Sequence, residues 1–283
     1  MLFVKRSFVV YPFTMLKPIG PLGFVKALAR IVRGRPRVPP ALADNALLNT
    51  ILRRRSIRNY GDRPIPDEVF DAILEAARVA PSTVNLQTWS FAVFTAESWR
   101  DLFERPIPFK AQRAVIVMAD THRARSVFEA FPSSPLVEYT IGVMNASLAA
   151  MNMNLAAEAL GVSSVMLSET GRSGLLDACY LKEKLGLPDG VIPIMTIVFG
   201  YARGPRPPMP PRLALDEICF EGRYREADPQ RMRRWMEEMM AGYKAAFPTS
   251  SFEAQLRVYQ SKIGQAEQDL RRLVLTNCAD NDH

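Results

Sequence analysis

The chain has 283 residues, of which 48% are hydrophobic and 23% charged, a composition typical of a soluble globular protein with a sizeable core. It contains only two histidines and three widely spaced cysteines, which exclude a three-histidine zinc site and a disulfide framework. No apolar run reaches the roughly 18–20 residues that cross a bilayer. We therefore predict a reducing, cytoplasmic protein and, if it is an enzyme, chemistry supplied by a cofactor.

The net charge of +7 comes from the first 43 residues, which hold eight Lys and Arg and no acidic residue. The other 240 residues contain 28 basic and 29 acidic groups. A nucleic-acid-binding protein usually spreads its basic residues over a folded face, so we predict no nucleic-acid partner.

This basic arm contains one helical pattern. Phe24, Leu28, Ile31 and Val32 recur at helical spacing, and basic side chains lie off that stripe. A basic amphipathic helix of this kind either lies on an anionic membrane surface or packs on its own core or on a partner subunit. The proline-rich run at 35–40 is typical of a stiff linker.

The central part of the chain alternates helical and strand patterns. A helix is predicted from Ala43, with Asp44 or Asn45 as its cap, and a second from Pro66 to just before Pro81. The remaining predictions are strands at Phe91–Phe94, Ala114–Met118, Ser164–Leu167 and Ile192–Val198, and helices at Val137–Leu160 and Leu175–Leu185, which end at Gly161 and Gly186. The pattern predicts an α+β fold in which helices flank a mixed central sheet of about four strands.

The C-terminal part changes in character after a proline-rich stretch at 204–212 that excludes helix and central strand. A cap signal at Asp228 and a heptad stripe from Phe252 to Leu273 predict a helical hairpin that packs on the core or on a second subunit. The segment Asp216–Phe220 is predicted to add a strand to a partner's sheet. The domain prediction is a basic arm at 1–43, a core domain at 44–223 and a helical extension at 224–283.

Three segments contain residues suited to binding chemistry. In an extended Arg54–Arg58 segment, Arg54, Ser56 and Arg58 would share one side, and two guanidinium groups with a hydroxyl suit a phosphate dianion. The hydroxyls and amides of Ala80–Trp89 could read the edge of a planar heterocycle, and Arg212 could add a second positive group to a phosphate site. Taken singly, these residues are more typical of a solvated basic face, of a core tryptophan and of an ordinary surface arginine.

Taken together and in this order, the segments resemble a known family. The run from Arg54 to Phe91 (RRSIRNYGDRPIPDEVFDAILEAARVAPSTVNLQTWSF) is similar to the N-terminal signature of the FMN-dependent nitroreductases. The resemblance continues through a central helix at 149–161 and the stretch 185–201 to Arg212. It covers roughly residues 44–222 and neither appendage.

The resemblance implies cofactor-binding residues and no catalytic side chain, since flavin N5 would supply the chemistry. It implies FMN phosphate and ribityl contacts from one set of residues, namely Arg54, Arg55, Ser56, Arg58 and Arg212. It implies flavin contacts, usually across a dimer interface, from a second set, namely Pro81, Ser82, Thr83, Asn85 and Gln87. Ser168 and Glu169 match the turn whose backbone amide faces flavin N5.

The chain departs from the family pattern at three places. Pro210 stands where many members have a lysine, so one phosphate-binding charge is missing there. Thr88 replaces the proline that commonly precedes the tryptophan, and Ser168-Glu169 lacks the glycine often found at that turn.

The function that the resemblance implies is transfer of hydride from NADH or NADPH through FMN to a nitroaromatic compound, a quinone or a similar acceptor, by a ping-pong mechanism in a homodimer. A dehalogenating, flavin-cleaving or dehydrogenating enzyme of the same fold is an alternative, as is an inactive module that binds a membrane or a partner through residues 1–43. The phenylalanine- and proline-rich loops Arg100–Gln112 and Arg123–Glu138 are predicted to select the substrate.

Overall fold

The computed structural model describes residues 19–168 and 178–275. The chain divides into two compact units. One combines the residues up to Arg35 with Pro210–Glu253, and the other combines Pro36–Met209 with the residues from Ala254 onwards. The three-part domain division made from the sequence stays a prediction. In the described part of the chain, none of the helices has the length and apolar character needed to cross a membrane.

Helices and strands alternate along the chain. In chain order they are α1 (Pro21–Arg33), α2 (Ala46–Arg53), α3 (Asp67–Arg78), β1 (Trp89–Thr95), α4 (Ala96–Phe103), β2 (Arg113–Asp120), α5 (His122–Arg125), α6 (Pro135–Ala159), β3 (Ser163–Ser168), α7 (Ala178–Lys184), β4 (Val191–Gly200), α8 (Leu215–Ile218), α9 (Pro229–Ala246) and α10 (Phe252–Leu275).

The sheet has four strands in the order β1-β2-β4-β3, and every neighbouring pair is antiparallel. A single parallel bridge, between Ser56 and Ser164, attaches one further segment beside β3. The α+β prediction is confirmed, and among the described residues the sheet is mixed only through this bridge. β1 and β3 are therefore the two outer strands, on opposite edges of the sheet.

Helix α6 forms the centre of the larger unit. It is apolar around most of its circumference and packs against the sheet and α3. Small residues allow close contact, because a Cβ atom at Gly142 would lie only 3.0 Å from the Cβ of Ala119 on β2. A second apolar cluster includes Trp99 and Phe103 of α4. Its sheet residues alternate along the strands with those of the cluster around α6.

Local signals placed most of these boundaries correctly. The Asn45 side chain caps α2 by accepting from the backbone N–H of Leu48, and Gly161 after α6 adopts a positive φ of 74°. The predicted strand at Asp216–Phe220 is wrong, because Leu215–Ile218 forms the short helix α8, whose acidic residues pair with Arg231. The start of the predicted helix Leu175–Leu185 lies outside the described residues.

Candidate functional site

The segment Arg54–Arg58 runs in extended conformation along the free edge of β3. Ser56 bridges Ser164, and the N–H of Ile57 donates to the Ser164 carbonyl at 3.1 Å. Ile57 is buried, so the alternation of an extended chain directs Arg54, Ser56 and Arg58 to the other side. This is the arrangement that the spacing of these three residues predicts.

A buried asparagine fixes the strand on which this segment rests. The Ser164 hydroxyl donates to Oδ1 of Asn154 at 2.7 Å, and Asn154 lies fully buried on α6. Its Nδ2 donates back to the carbonyl of Ala150 at 3.0 Å. Helix α6, β3 and the arginine segment are thus joined by side-chain and backbone hydrogen bonds.

The three arginines of the segment have different environments. The Arg54 side chain is half-buried, and its guanidinium forms no hydrogen bond or ion pair with the residues that the structure describes. Arg55 donates to the backbone carbonyls of Leu52 and Arg54, which ties it to the end of α2. Arg58 is exposed and lies near Tyr60. Burial raises the pKa of Tyr60 above its usual range, and the positive charge of Arg58 partly opposes this rise.

The second predicted segment forms a strained loop before β1, at the opposite edge of the sheet. Val84, Asn85 and Gln87 have positive φ angles of 41°, 57° and 50°. Left-handed backbone is rare outside glycine, and a β-branched residue such as Val84 is a clear outlier. Strain of this kind persists only where surrounding contacts enforce it, and it concentrates at functional sites.

One asparagine on α6 holds this loop. Asn145 is only 1% exposed, and its Oδ1 accepts from the backbone N–H and the hydroxyl of Thr83 at 3.1 and 3.3 Å. Its Nδ2 donates to the hydroxyl of Thr88 at 2.8 Å. The departure at Thr88 therefore has a structural role, since a proline would offer no hydroxyl to Asn145. The loop is closed by a hydrogen bond from the N–H of Gln87 to the Ser82 hydroxyl at 3.1 Å.

The sequence pattern did not single out Asn145, although a polar residue inside a nearly continuous apolar helix was available as a signal. Asn145 and Asn154 are nine residues apart, which places their side chains on opposite sides of α6 and about 13 Å apart along its axis. One helix therefore anchors the loop before β1 and the segment beside β3.

Ser168 lies on the same edge as the arginine segment. It is the last residue of β3, four residues beyond Ser164, so about 13–14 Å of strand separates the two positions. Glu169 lies outside the described residues. Arg212 is exposed on the smaller unit, and its predicted convergence with Arg54 stays a prediction.

The two predicted substrate loops lie at opposite ends of β2. Arg123–Glu138 follows the end of β2, where Arg123 donates to the carbonyl of Trp89 at 2.8 Å, next to the strained loop. Arg100–Gln112 leads into the start of β2, where Gln112 donates to the carbonyl of Gly61 at 3.2 Å. The two loops do not line a single pocket in one copy of the chain, since the eight residues of β2, about 24 Å from first to last, separate them.

Known proteins resemble the chain in sequence and in fold. A model of the nitroreductase family matches residues 51–201. A protein of Archaeoglobus fulgidus, named putative NADH dehydrogenase/NAD(P)H nitroreductase, is 34% identical over 161 residues, which cover 55% of this chain and 85% of that protein. The NADPH-flavin oxidoreductase of Vibrio harveyi is 27% identical over 210 residues, covering 70% of this chain and 83% of that protein.

Solved structures show the same fold. A hypothetical oxidoreductase from Bacillus subtilis superposes with a TM-score of 0.68 at 22% identity, over 81% of this chain and 96% of the other. The NADPH:FMN oxidoreductase from Vibrio harveyi complexed with NAD+ gives a TM-score of 0.60 at 24% identity, over 77% and 98% of the two chains.

Proposed function

This chain belongs to the nitroreductase family, and on that premise we propose that it is an FMN-dependent oxidoreductase that uses NADH or NADPH to reduce a small electron-poor acceptor. Relatives named NADPH-flavin oxidoreductase, FMN reductase and nitroreductase support this activity. The finer proposal is a ping-pong reaction with nitroaromatic compounds or quinones as acceptors.

The observation that best supports the proposal is the β3 edge of the sheet. Ser56 pairs with Ser164 near the start of β3, half-buried Arg54 lies two residues before Ser56, and Ser168 lies at the end of the strand. About 13–14 Å of strand separates Ser164, which pairs with Ser56, from Ser168, and this spacing suits an elongated ligand that has an anionic group at one end and a planar ring at the other. FMN has this form.

The donors present along this edge fit FMN. The Arg54 guanidinium lacks a partner in the described part of the chain, and guanidinium groups bind phosphate oxygens through paired, charge-assisted hydrogen bonds. Exposed Arg58 and the half-buried Ser56 hydroxyl lie on the same side of the extended segment. The loop before β1 adds amide and hydroxyl groups that can both donate to and accept from a heterocycle.

In the mechanism, bound FMN would supply hydride transfer between the nicotinamide and the acceptor. The chain's own residues bind and orient the reactants. Arg54 and Arg58 would hold the phosphate, and the loop held by Asn145 presents the Asn85 and Gln87 side chains in one backbone conformation. Because the loop is held before the ligand arrives, less ordering entropy is lost on binding.

We propose that the active enzyme is a homodimer, because one copy does not bring its two segments together. The arginine segment lies at the β3 edge and the loop before β1 lies at the opposite edge, so a second copy would supply the missing loop. An exposed apolar surface suits this contact: Met144, Leu148 and Met151 follow one face of α6, and Leu47 and Ile51 follow one face of the adjoining α2.

The test uses the full-length protein. A flavin absorption spectrum is expected as purified or after addition of FMN, and anaerobic NADH or NADPH should bleach it. Re-addition of a quinone or nitroaromatic compound should restore the colour, and initial rates should give parallel double-reciprocal lines. Light scattering should give the mass of two chains.

A protein that gains no flavin spectrum with FMN would contradict the cofactor assignment. Intersecting double-reciprocal lines would contradict the ping-pong order alone, and a monomer with full activity would contradict the shared site.

A further inference from the structure

Helix α1 shows two apolar faces, and α9 occupies only one of them. On the inner face, Ala27 is fully buried, and Arg30 Nε donates to Glu238 of α9 at 2.7 Å while Nη2 reaches Glu237 at 3.1 Å. Ile31 also lies on this side, since a Cβ at Gly242 of α9 would be 3.4 Å from its Cδ1. These contacts fix the rotation of α1 about its axis, and the predicted packing of the arm on its own chain is seen for this face.

The outward face of α1 consists of Leu22, Val25 and Val32, flanked by Lys26 and Arg33. The three aliphatic side chains are 68%, 63% and 52% exposed. At 100° of rotation per residue they fall in one continuous arc, and the two basic side chains follow directly beside it. The sequence stripe at 24, 28, 31 and 32 placed Val32 with the inner residues, whereas the structure places it on the outward face.

The charge around this face has one sign. Lys26, Arg33 and Arg35 are exposed and form no ion pair within the described residues. The sequence before α1 adds three further basic residues, and the first 43 residues contain no acidic group. On α1, the charge of Arg30 is balanced by Glu237 and Glu238 of α9.

We propose that the outward face of α1 docks the protein on an anionic phospholipid surface, independently of the proposed enzyme activity. Helices that lie in a membrane interface bury an aliphatic stripe among the acyl chains and keep lysine and arginine at headgroup depth. The outward face has this arrangement. It lacks the aromatic anchors that dominate protein–protein contacts, which favours lipid over a protein partner.

The test is co-sedimentation of the full-length protein with vesicles. Binding is expected to vesicles of phosphatidylserine and phosphatidylcholine, to weaken as salt rises and to be absent with phosphatidylcholine alone. The variant K26Q/R33Q should bind about 25-fold more weakly, since each basic residue near the surface contributes about fivefold. The variant L22S/V25S/V32S should bind about 100-fold more weakly because it loses the inserted side chains.

The matched control is L160S/V258S/I263S, which removes three exposed aliphatic side chains, one directly after α6 and two on α10. It should bind vesicles like the wild type. Equal binding of wild type and L22S/V25S/V32S would overturn the proposal by assigning membrane contact to residues outside α1. The proposal would also be overturned if the wild type did not bind vesicles and L22S/V25S/V32S showed half the wild-type mass in light scattering. That result would assign the face to a second copy of the chain. The FMN spectrum of each variant separates these outcomes from failure of the flavin site.

Discussion

The two edges of the sheet present binding residues by different physical means. At the β3 edge, the arginine segment has ordinary extended backbone and is held by a backbone bridge to Ser164. At the β1 edge, the loop before Trp89 has three left-handed non-glycine residues and is held by the side chain of Asn145. A backbone bridge survives many side-chain substitutions, whereas the strained loop depends on one amide.

The two edges should therefore respond differently to mutation. The arginine charges proposed to bind phosphate at the β3 edge can be removed with little effect on the backbone that positions them. At the β1 edge, the residue that positions the loop is Asn145, which is only 1% exposed. Four substitutions test this difference.

The largest effect is expected at the β3 edge. R54A/R58A should weaken FMN binding by about 10²–10⁴-fold, because each charge-assisted contact is worth about 1.5–3 kcal/mol. Fluorescence titration of the apoprotein with FMN measures the change. The control R35A/R37A removes two basic residues of the proline-rich linker and should bind FMN normally. Unchanged affinity in R54A/R58A would argue against this phosphate site.

At the β1 edge, N145A should destabilise the protein by about 1–3 kcal/mol, because it leaves Thr83 and Thr88 without their buried partner. It should also weaken FMN binding roughly tenfold as the loop loses its fixed conformation. The matched control is N152A, since Asn152 lies on the same helix but donates to Ala76 of α3 at 2.9 Å. Urea unfolding and FMN titration should show a stability loss in both variants and an FMN defect in N145A alone. Equal FMN defects would remove the special role of Asn145.

A smaller effect is expected from S164A, which removes the hydroxyl that pairs with Asn154 but leaves the backbone bridge to Ser56. Stability should fall by about 1–2 kcal/mol while FMN affinity stays within about threefold. T196V is the contrasting variant. The buried Thr196 hydroxyl has no hydrogen-bond partner in the described part of the chain, so its removal should raise stability by about 1 kcal/mol. A large FMN defect in S164A would show that the bridge alone does not position the segment.

The smallest effect is expected from V84G. Val84 is 86% exposed, so its replacement removes little packing, and glycine relieves the cost of its positive φ. The apoprotein should gain about 0.5 kcal/mol in unfolding free energy after the entropic cost of glycine is subtracted. V127G, at an exposed valine without positive φ, should not be stabilised. A loss of stability in V84G comparable to that in V127G would mean that the loop stores no strain at this residue.

Much of the fold was predictable because its signals are local. Proline and glycine positions, the Asn45 cap and the apolar run of α6 act within a few residues, and most of the predicted helices and strands lie where these signals place them, whereas α4 and α5 were not predicted. Asp216–Phe220 was predicted wrongly because its conformation depends on ion pairs with Arg231, which lies 15 residues from Asp216.

The site was only partly predictable. The residue types and spacing of Arg54, Ser56 and Arg58 indicated a phosphate receptor, and the resemblance to a known family indicated the loop at 81–87. Neither showed that α6 anchors both segments, because Asn145 and Thr88 are 57 residues apart and their contact exists only in the folded chain.

By itself, the sequence determined most of the elements and the family, and it predicted the residues that would bind an anionic flavin, since propensities, caps and donor types are properties of short stretches. Only the tertiary structure decided that those residues lie on opposite edges of one sheet, and that α1 keeps a second apolar face exposed. These are consequences of strand order and of helix rotation, which long-range packing sets.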